Sequence, residues 1–153
     1  GNPKGVTLSY GCFAHLLDAA RHTLRLDVPQ PRLLSYLPLS HSAERSILDN
    51  AALASGATVY FTESLDTFAR NLADARPTHF GSVPRIWVKF QQAILAKMPQ
   101  EKLDTLLRIP VVSGLVKRKI RQGLGLNDAR YVAVGAAPMP VGLLRWFRRL
   151  GIH

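Results

Sequence analysis

The stretch ATVYFTESLDTFARNLADARPTHFGSVPRIW (residues 57–87) decides the fold. Residues 57–61 and 78–83 are short runs typical of β-strands. Between them, Ser64 is placed to cap a helix whose apolar residues recur at helical spacing: Leu65, Phe68, Ala69 and Leu72. Pro84 suits the first turn of the next helix. This order of strand, helix, strand and helix predicts βαβ units with parallel strands.

The rest of the chain continues the same alternation. Further strands are predicted over residues 4–9, 32–37 and 130–134, and further helices over residues 10–24, around 47–55 before Gly56, 101–108, from Pro110 onward and 141–150. At 153 residues the chain is long enough for one domain with its own core and too short for two. We expect an α/β domain with a mainly parallel sheet and flanking helices.

The net charge of +10, from 20 basic and 10 acidic residues, is unusual. Such a balance suits nucleic acid, anionic lipid or a phosphorylated ligand, and it also arises when acidic parts of a longer protein are missing. The basic residues cluster at Lys117, Arg118, Lys119 and Arg121, and again at Arg145, Arg148 and Arg149. Solvated helix faces are the simplest interpretation. The basic, amphipathic segment 110–123 also fits a membrane surface, whereas no nucleic-acid-binding motif is present.

Two further features bear on where the protein works. No apolar run approaches the length of a membrane span, and the first residues do not form a signal peptide. Cys12 is the single cysteine, so an internal disulfide is excluded, which fits a reducing compartment. Because it is surrounded by apolar residues, we expect Cys12 to be a small core side chain.

The polar cluster in YLPLSHSAER (residues 36–45) contains Ser40, His41, Ser42 and Glu44, which together invite a hydrolase interpretation. No GxSxG elbow is present, and adjacency in sequence does not make a catalytic triad. The five histidines are scattered without an HExxH pattern, so a metal site is not supported. Taken alone, His41 is better explained as a polar residue at a helix start.

Two glycine-containing stretches could contact a nucleotide. GNPKG (residues 1–5) precedes a strand and lacks the GxxxxGK[ST] pattern, so an ordinary P-loop is excluded and a simple turn is favoured. GAAPMP (residues 135–140) follows a predicted strand, and its small side chains would let a flat group lie against the backbone. Taken alone, this segment is better explained as a tight strand-to-helix turn.

The order of the motifs is more specific than any one of them. GNPKGV, SYLPLSHSAER, RPTHFGSVPRIW and YVAVGAAPMP, in that order, resemble the adenylate-forming superfamily, with long-chain fatty acyl-CoA synthetases as the closest group. The resemblance covers essentially the whole chain. It implies that residues 1–153 are an internal part of the large N-terminal AMP-binding domain, truncated at both ends.

The resemblance also implies a reaction and its residues. A fatty carboxylate attacks the α-phosphate of ATP, giving acyl-adenylate and pyrophosphate, and the thiol of coenzyme A then attacks the acyl carbon and releases AMP. The magnesium ligands of the family lie outside this sequence. His41 would be catalytic and contact the acyl carboxylate and α-phosphate. The residues that would bind ATP or AMP are Gly1, Lys4, Gly5, Gly135, Ala136, Ala137 and Pro138. The residues that would line the acyl tunnel, together with His41, are Arg45, Val83 and Trp87.

The alternatives remain open at this point. Within the enzyme class they are a fatty acyl-AMP ligase and an aryl-CoA ligase. From another class, the alternative is a non-catalytic basic module that binds anionic lipid or nucleic acid. We expect fatty acid, ATP, Mg²⁺ and coenzyme A as the ligands of the parent enzyme, no nucleic-acid partner, and a cytoplasmic location with peripheral membrane contact. The isolated chain is expected to be inactive.

Overall fold

The computed structural model describes residues 5–24, 26 and 28–153. It confirms an α/β chain in which every strand pairs in parallel. The elements follow in the order α1 (Tyr10–Leu24), β1 (Arg32–Ser35), a π-helix (Ala43–Asp49), α2 (Asn50–Ser55), β2 (Thr58–Phe61), α3 (Phe68–Ala75), β3 (His79–Ser82), α4 (Pro84–Lys97), α5 (Gln100–Arg108), α6 (Pro110–Gly123), β4 (Tyr131–Val134) and α7 (Val141–Arg149).

The strands form two parallel pairs. β1 pairs with β2, with Arg32 opposite Thr58, and β3 pairs with β4, with His79 opposite Tyr131. Neighbours in sequence are therefore not always neighbours in space, because β2 precedes β3 along the chain without pairing with it. Parallel pairing requires a crossover between the two strands, which the intervening helices provide.

The two pairs meet where β1 and β3 begin. The Thr78 N–H donates to the Arg32 carbonyl oxygen (3.0 Å), and the Arg32 N–H donates to the Thr78 hydroxyl (2.9 Å). The Arg32 guanidinium also donates to the carbonyl oxygen of Arg76 and to the carboxylate of Asp128, each at 2.8 Å. The N–H of Tyr131 donates to the Thr78 carbonyl oxygen (3.1 Å). This Arg32–Thr78 joint therefore connects β1 to the starts of both β3 and β4.

The main core is aromatic and lies between the β3–β4 pair and the helices. Phe80 packs edge-on against Trp87, with ring centroids 5.8 Å apart, and Trp87 contacts Phe147 at 5.0 Å. Phe68 and Phe90 stack within the same cluster. Helices α3 and α4 supply three of these side chains, Phe68, Trp87 and Phe90.

Three local predictions were wrong. Residues 5–9 form no strand, and Val6 is 80% exposed; a strand needs a partner for its backbone groups, and none pairs with this segment in the described part of the chain. Ser64 does not cap α3, which begins four residues later; its hydroxyl instead accepts from the Thr67 N–H (3.2 Å), so Leu65 lies outside the helix. Cys12 is exposed rather than buried, because it lies in the first turn of α1 and its thiol contacts the Ser9 hydroxyl at 3.3 Å.

Two glycines adopt the left-handed backbone conformation in different surroundings. Gly56 ends α2 with φ of 65°, as expected for a C-terminal glycine, and a Cβ there would meet nothing within 4 Å. Gly125 has φ of 72°, and a Cβ there would lie against the Leu72 carbonyl oxygen and 2.6 Å from Ala73 Cα. The loop after α6 can approach the end of α3 only because residue 125 lacks a side chain.

This difference predicts unequal effects of the same substitution. Gly56→Ala should lower the free energy of unfolding by ~1–2 kcal/mol, the cost of a left-handed L-residue. Gly125→Ala should lower it by about 1–3 kcal/mol more, since the overlap with backbone atoms adds to that cost. Urea unfolding followed by far-UV circular dichroism measures both. Equal losses would show that the close approach at Gly125 is not a constraint.

Candidate functional site

A cavity of about 380 Å³ lies between the strands and the π-helix. One wall comes from the carboxyl ends of three strands: Tyr36 and Leu37 after β1, Ser82 and Val83 at β3, and Val134 and Gly135 at β4. The opposite wall contains Ala43, Glu44 and Leu48 of the π-helix and Ala51 of α2. Ligands of open parallel sheets bind at this end of the strands.

Most of the cavity wall is aliphatic or aromatic. Leu26, Leu33, Leu34 and Phe80 contribute to it in addition to the residues above. The polar side chains of the wall are few: Tyr36, His41, Glu44, His79, Ser82 and Tyr131. An apolar cavity with a few polar groups suits a ligand that has a long apolar part and one polar end.

His41 is held by the short segment that links β1 to the π-helix. The backbone N–H of His41 donates to the Pro38 carbonyl oxygen (2.8 Å), and the His41 carbonyl oxygen accepts from the Arg45 N–H (3.0 Å). The Nδ1 atom accepts from the Ala43 N–H at 3.1 Å. A nitrogen that accepts carries no proton, so the neutral ring holds its proton on Nε2 and can donate from there.

Glu44 is a buried carboxylate in an otherwise apolar wall, only 1% exposed. One carboxylate oxygen, Oε2, accepts from the Leu37 N–H (3.2 Å), whereas Oε1 makes no hydrogen bond within the described residues. The bond to Leu37 closes the segment that carries His41. A buried carboxyl oxygen without a hydrogen-bond partner is costly unless a bound group supplies one.

Tyr36 lies beside this carboxylate, and its hydroxyl donates to the Gly81 carbonyl oxygen (3.0 Å). Burial raises the pKa of the Tyr36 phenol above its usual value of 10.0; the Ser82 hydroxyl opposes this, and the negative charge of Glu44 adds to it. The phenol therefore stays protonated and remains a donor across the neutral range.

The structure brings together four of the residues predicted for the site. His41, Val83, Gly135 and Ala136 all line the cavity, although they come from three separate segments of the chain. Gly135 faces open space, since a Cβ there would meet nothing within 4 Å. That open space beside the end of β4 would let a flat group lie against the backbone.

The other predicted residues lie elsewhere. Trp87 is 2% exposed and belongs to the aromatic core, and Arg45 points outward with its side chain 64% exposed, 3.5 Å from Asp49. Ala137 and Pro138 are exposed and follow the cavity wall, and Gly5 is exposed within residues 5–9. Gly1 and Lys4 lie outside the described residues. The roles given to these residues stay predictions.

Tyr36, Glu44 and the π-helix are features of the site that the sequence patterns did not identify. Tyr36 follows a buried strand, where a polar side chain is a weak signal for a site. Glu44 belongs to a polar cluster that suggests a solvated helix start, and nothing in its spacing predicts burial. π-helical turns are rare and frequently occur at functional sites.

Among the described residues, no cluster of three or more histidine, cysteine, aspartate or glutamate side chains occurs that could hold a metal ion by itself. Across the same residues, no helix has the length and apolarity to span a bilayer.

Comparison with known proteins places this chain in a family. The AMP-binding enzyme family matches the chain over residues 1–153. The long-chain-fatty-acid–CoA ligase ACSBG2 of Xenopus laevis is 33% identical, and the match covers 99% of this chain and 25% of that protein. The chain thus spans about a quarter of the length of this relative.

Solved structures agree with the fold. The A-PCP didomain of carboxylic acid reductase from Segniliparus rugosus, solved in complex with AMP, matches with a TM-score of 0.69 and 28% identity over 92% of this chain and 19% of that one. The N-terminal domain of FACL13 from Mycobacterium tuberculosis matches with a TM-score of 0.53 and 22% identity over 90% of this chain and 30% of that one. The second likeness concerns the fold alone.

The raised pKa of Tyr36 predicts a particular pH dependence. Above about pH 10 the unfolded chain releases this proton first, so the free energy of unfolding falls as pH rises. Tyr36→Phe should cost ~1 kcal/mol near neutral pH, through loss of the bond to Gly81, and should show a shallower alkaline decline. Urea titrations between neutral and alkaline pH measure this, with Tyr10→Phe at a 93% exposed position as the matched control. Parallel curves for wild type and Tyr36→Phe would contradict it.

Proposed function

Because this chain belongs to the AMP-binding enzyme family, we propose that it is part of a ligase that activates a long-chain fatty acid with ATP and passes the acyl group to coenzyme A. The observation that carries the proposal is the apolar cavity with His41 in its wall. The similarity to a long-chain-fatty-acid–CoA ligase supports the substrate class.

In this proposal the acyl chain occupies the apolar part of the cavity. Leu26, Leu33, Leu34 and Phe80 offer it aliphatic and aromatic contacts. Burial of each methylene of an acyl chain is worth ~0.8 kcal/mol, so a cavity of this size favours long over short chains. The nucleotide would lie against the backbone of residues 135–138, where the wall is open.

His41 then acts at the boundary between the two ligands. Its Nε2–H can donate to an anionic oxygen of the acyl carboxylate or of the α-phosphate. A donor fixed by the Ala43 and Pro38 hydrogen bonds needs no reorganisation when negative charge shifts during the reaction. ATP supplies the adenylyl group and loses pyrophosphate, and the chain contributes binding, orientation and this one donor.

Removal of His41 tests this role. In the complete ligase that contains this chain, His41→Ala should lower the rate of fatty-acid-dependent AMP formation by ~10²–10³-fold, as for other oriented donors. His22→Ala changes an exposed histidine of α1 and is the matched control. A loss of less than about threefold would remove His41 from the catalytic site.

Filling the cavity tests the acyl-binding part. Ala133 lines the cavity, so Ala133→Phe should raise KM for long chains by at least about tenfold, by removing space for several methylenes, and affect short chains little. Ala96→Phe, at an exposed position of α4, is the control. An equal effect on all chain lengths would show that the acyl group lies elsewhere.

The same assay separates the alternatives. Products formed with coenzyme A support the proposed ligase, whereas acyl transfer only to a carrier protein would indicate a fatty acyl-AMP ligase. Preference for aromatic acids would indicate an aryl-CoA ligase. The isolated 153-residue chain is expected to give no turnover, and turnover at the rate of the complete ligase would contradict this.

A further inference from the structure

Helix α6 has an inner face that is packed and an outer face that is not. Val116 and Ile120 pack against the main core, and Ser113 is buried. On the opposite side, Val111 is 78% exposed and Leu115 is 64% exposed. At spacings of three and four residues they share this side with two exposed basic residues, Arg118 and Lys119. We call Val111, Leu115, Arg118 and Lys119 the outer face of α6.

This face carries positive charge without compensation. No acidic residue occurs between Asp104 and Asp128, whereas Arg108, Lys117 and Arg121 add to the basic residues of the helix. Among the ion pairs of the described residues, none includes Lys117, Arg118 or Lys119. Arg121 is turned the other way and donates to the Gly151 carbonyl oxygen (3.2 Å). A partner of negative charge is therefore favoured.

The chemistry of the outer face favours one kind of anionic partner. Its apolar members are aliphatic, so it offers no aromatic ring on which a nucleic-acid base could stack. Exposed aliphatic side chains beside Lys and Arg on one helix face are typical of helices that lie in a membrane interface. Each basic residue near an anionic surface adds electrostatic attraction. Burial of Val111 and Leu115 in the membrane interface would add to that attraction.

We propose that the outer face of α6 binds the surface of an anionic membrane, with Val111 and Leu115 entering the interface and Arg118 and Lys119 contacting lipid phosphates. α6 lies flat on the bilayer in this arrangement, because its inner face stays packed against the core. The proposal does not depend on the ligase activity, and it concerns a surface formed by different residues from those of the cavity.

The first experiment compares two matched pairs of charge removals in the 153-residue chain, using sedimentation with vesicles of phosphatidylcholine and phosphatidylglycerol. Arg118→Gln with Lys119→Gln should weaken binding about 30-fold, at about fivefold for each basic residue near the surface. Arg145→Gln with Arg148→Gln removes the same charge from α7 and should change binding much less. Equal losses would mean that net charge alone drives binding and would overturn the proposal.

The second experiment tests insertion of the apolar side chains. In a Cys12→Ser background, Leu115→Cys and Leu65→Cys each carry an environment-sensitive fluorophore; Leu65 is 81% exposed and lies outside α6. The label at position 115 should shift to the blue on vesicle addition, and the label at 65 should not. No shift at 115, no binding to the vesicles, or tighter binding to an oligonucleotide than to vesicles would overturn the proposal. Circular dichroism confirms folding of each variant.

Discussion

The Arg32–Thr78 joint is the constraint on which the cavity depends. Four short strands in two separate pairs would not by themselves fix the distance between their carboxyl ends. The reciprocal hydrogen bonds of Arg32 and Thr78, with the Arg32 guanidinium bound to Asp128, hold β1 beside β3. The cavity draws its wall from β1 on one side of this joint and from β3 and β4 on the other. The polar contacts that set its shape lie where the strands begin. The cavity itself, where the ligands are predicted to bind, lies at the carboxyl ends of the strands.

Local signals along the chain predicted the elements well where one physical effect dominated. Helix α1 has the predicted bounds, because its apolar stripe is long and regular. Gly56 and Pro84 mark a helix end and a helix start, because their backbone angles leave few alternatives. Prediction failed where the outcome depended on distant residues. A strand over residues 5–9 needs a pairing partner, and the exposure of Cys12 depends on what packs against α1.

The residues of the candidate site also fall into those that the sequence predicted and those that depend on distant parts of the chain. His41, Val83, Gly135 and Ala136 were identified through the order of motifs, and the fold brings them to one cavity. Glu44 could not be identified, because its burial depends on the π-helix, and no propensity separates a π-turn from an α-turn in AERSILD. Trp87 carries a similar lesson. The family resemblance implies that Trp87 lines the acyl tunnel, yet the aromatic rings of α4 and α7 pack against it in the core.

The pairing of β3 with β4 has a consequence for how the protein folds. His79 and Tyr131 are paired neighbours in the sheet, although α4, α5 and α6 lie between them in the chain. Closing so long a loop costs entropy before any contact compensates for it, and contacts of large sequence separation slow folding. The end of β4 supplies Val134, Gly135 and Ala136 to the cavity. The cavity therefore depends on a contact between segments that lie far apart in the chain, which is the kind of contact that slows folding.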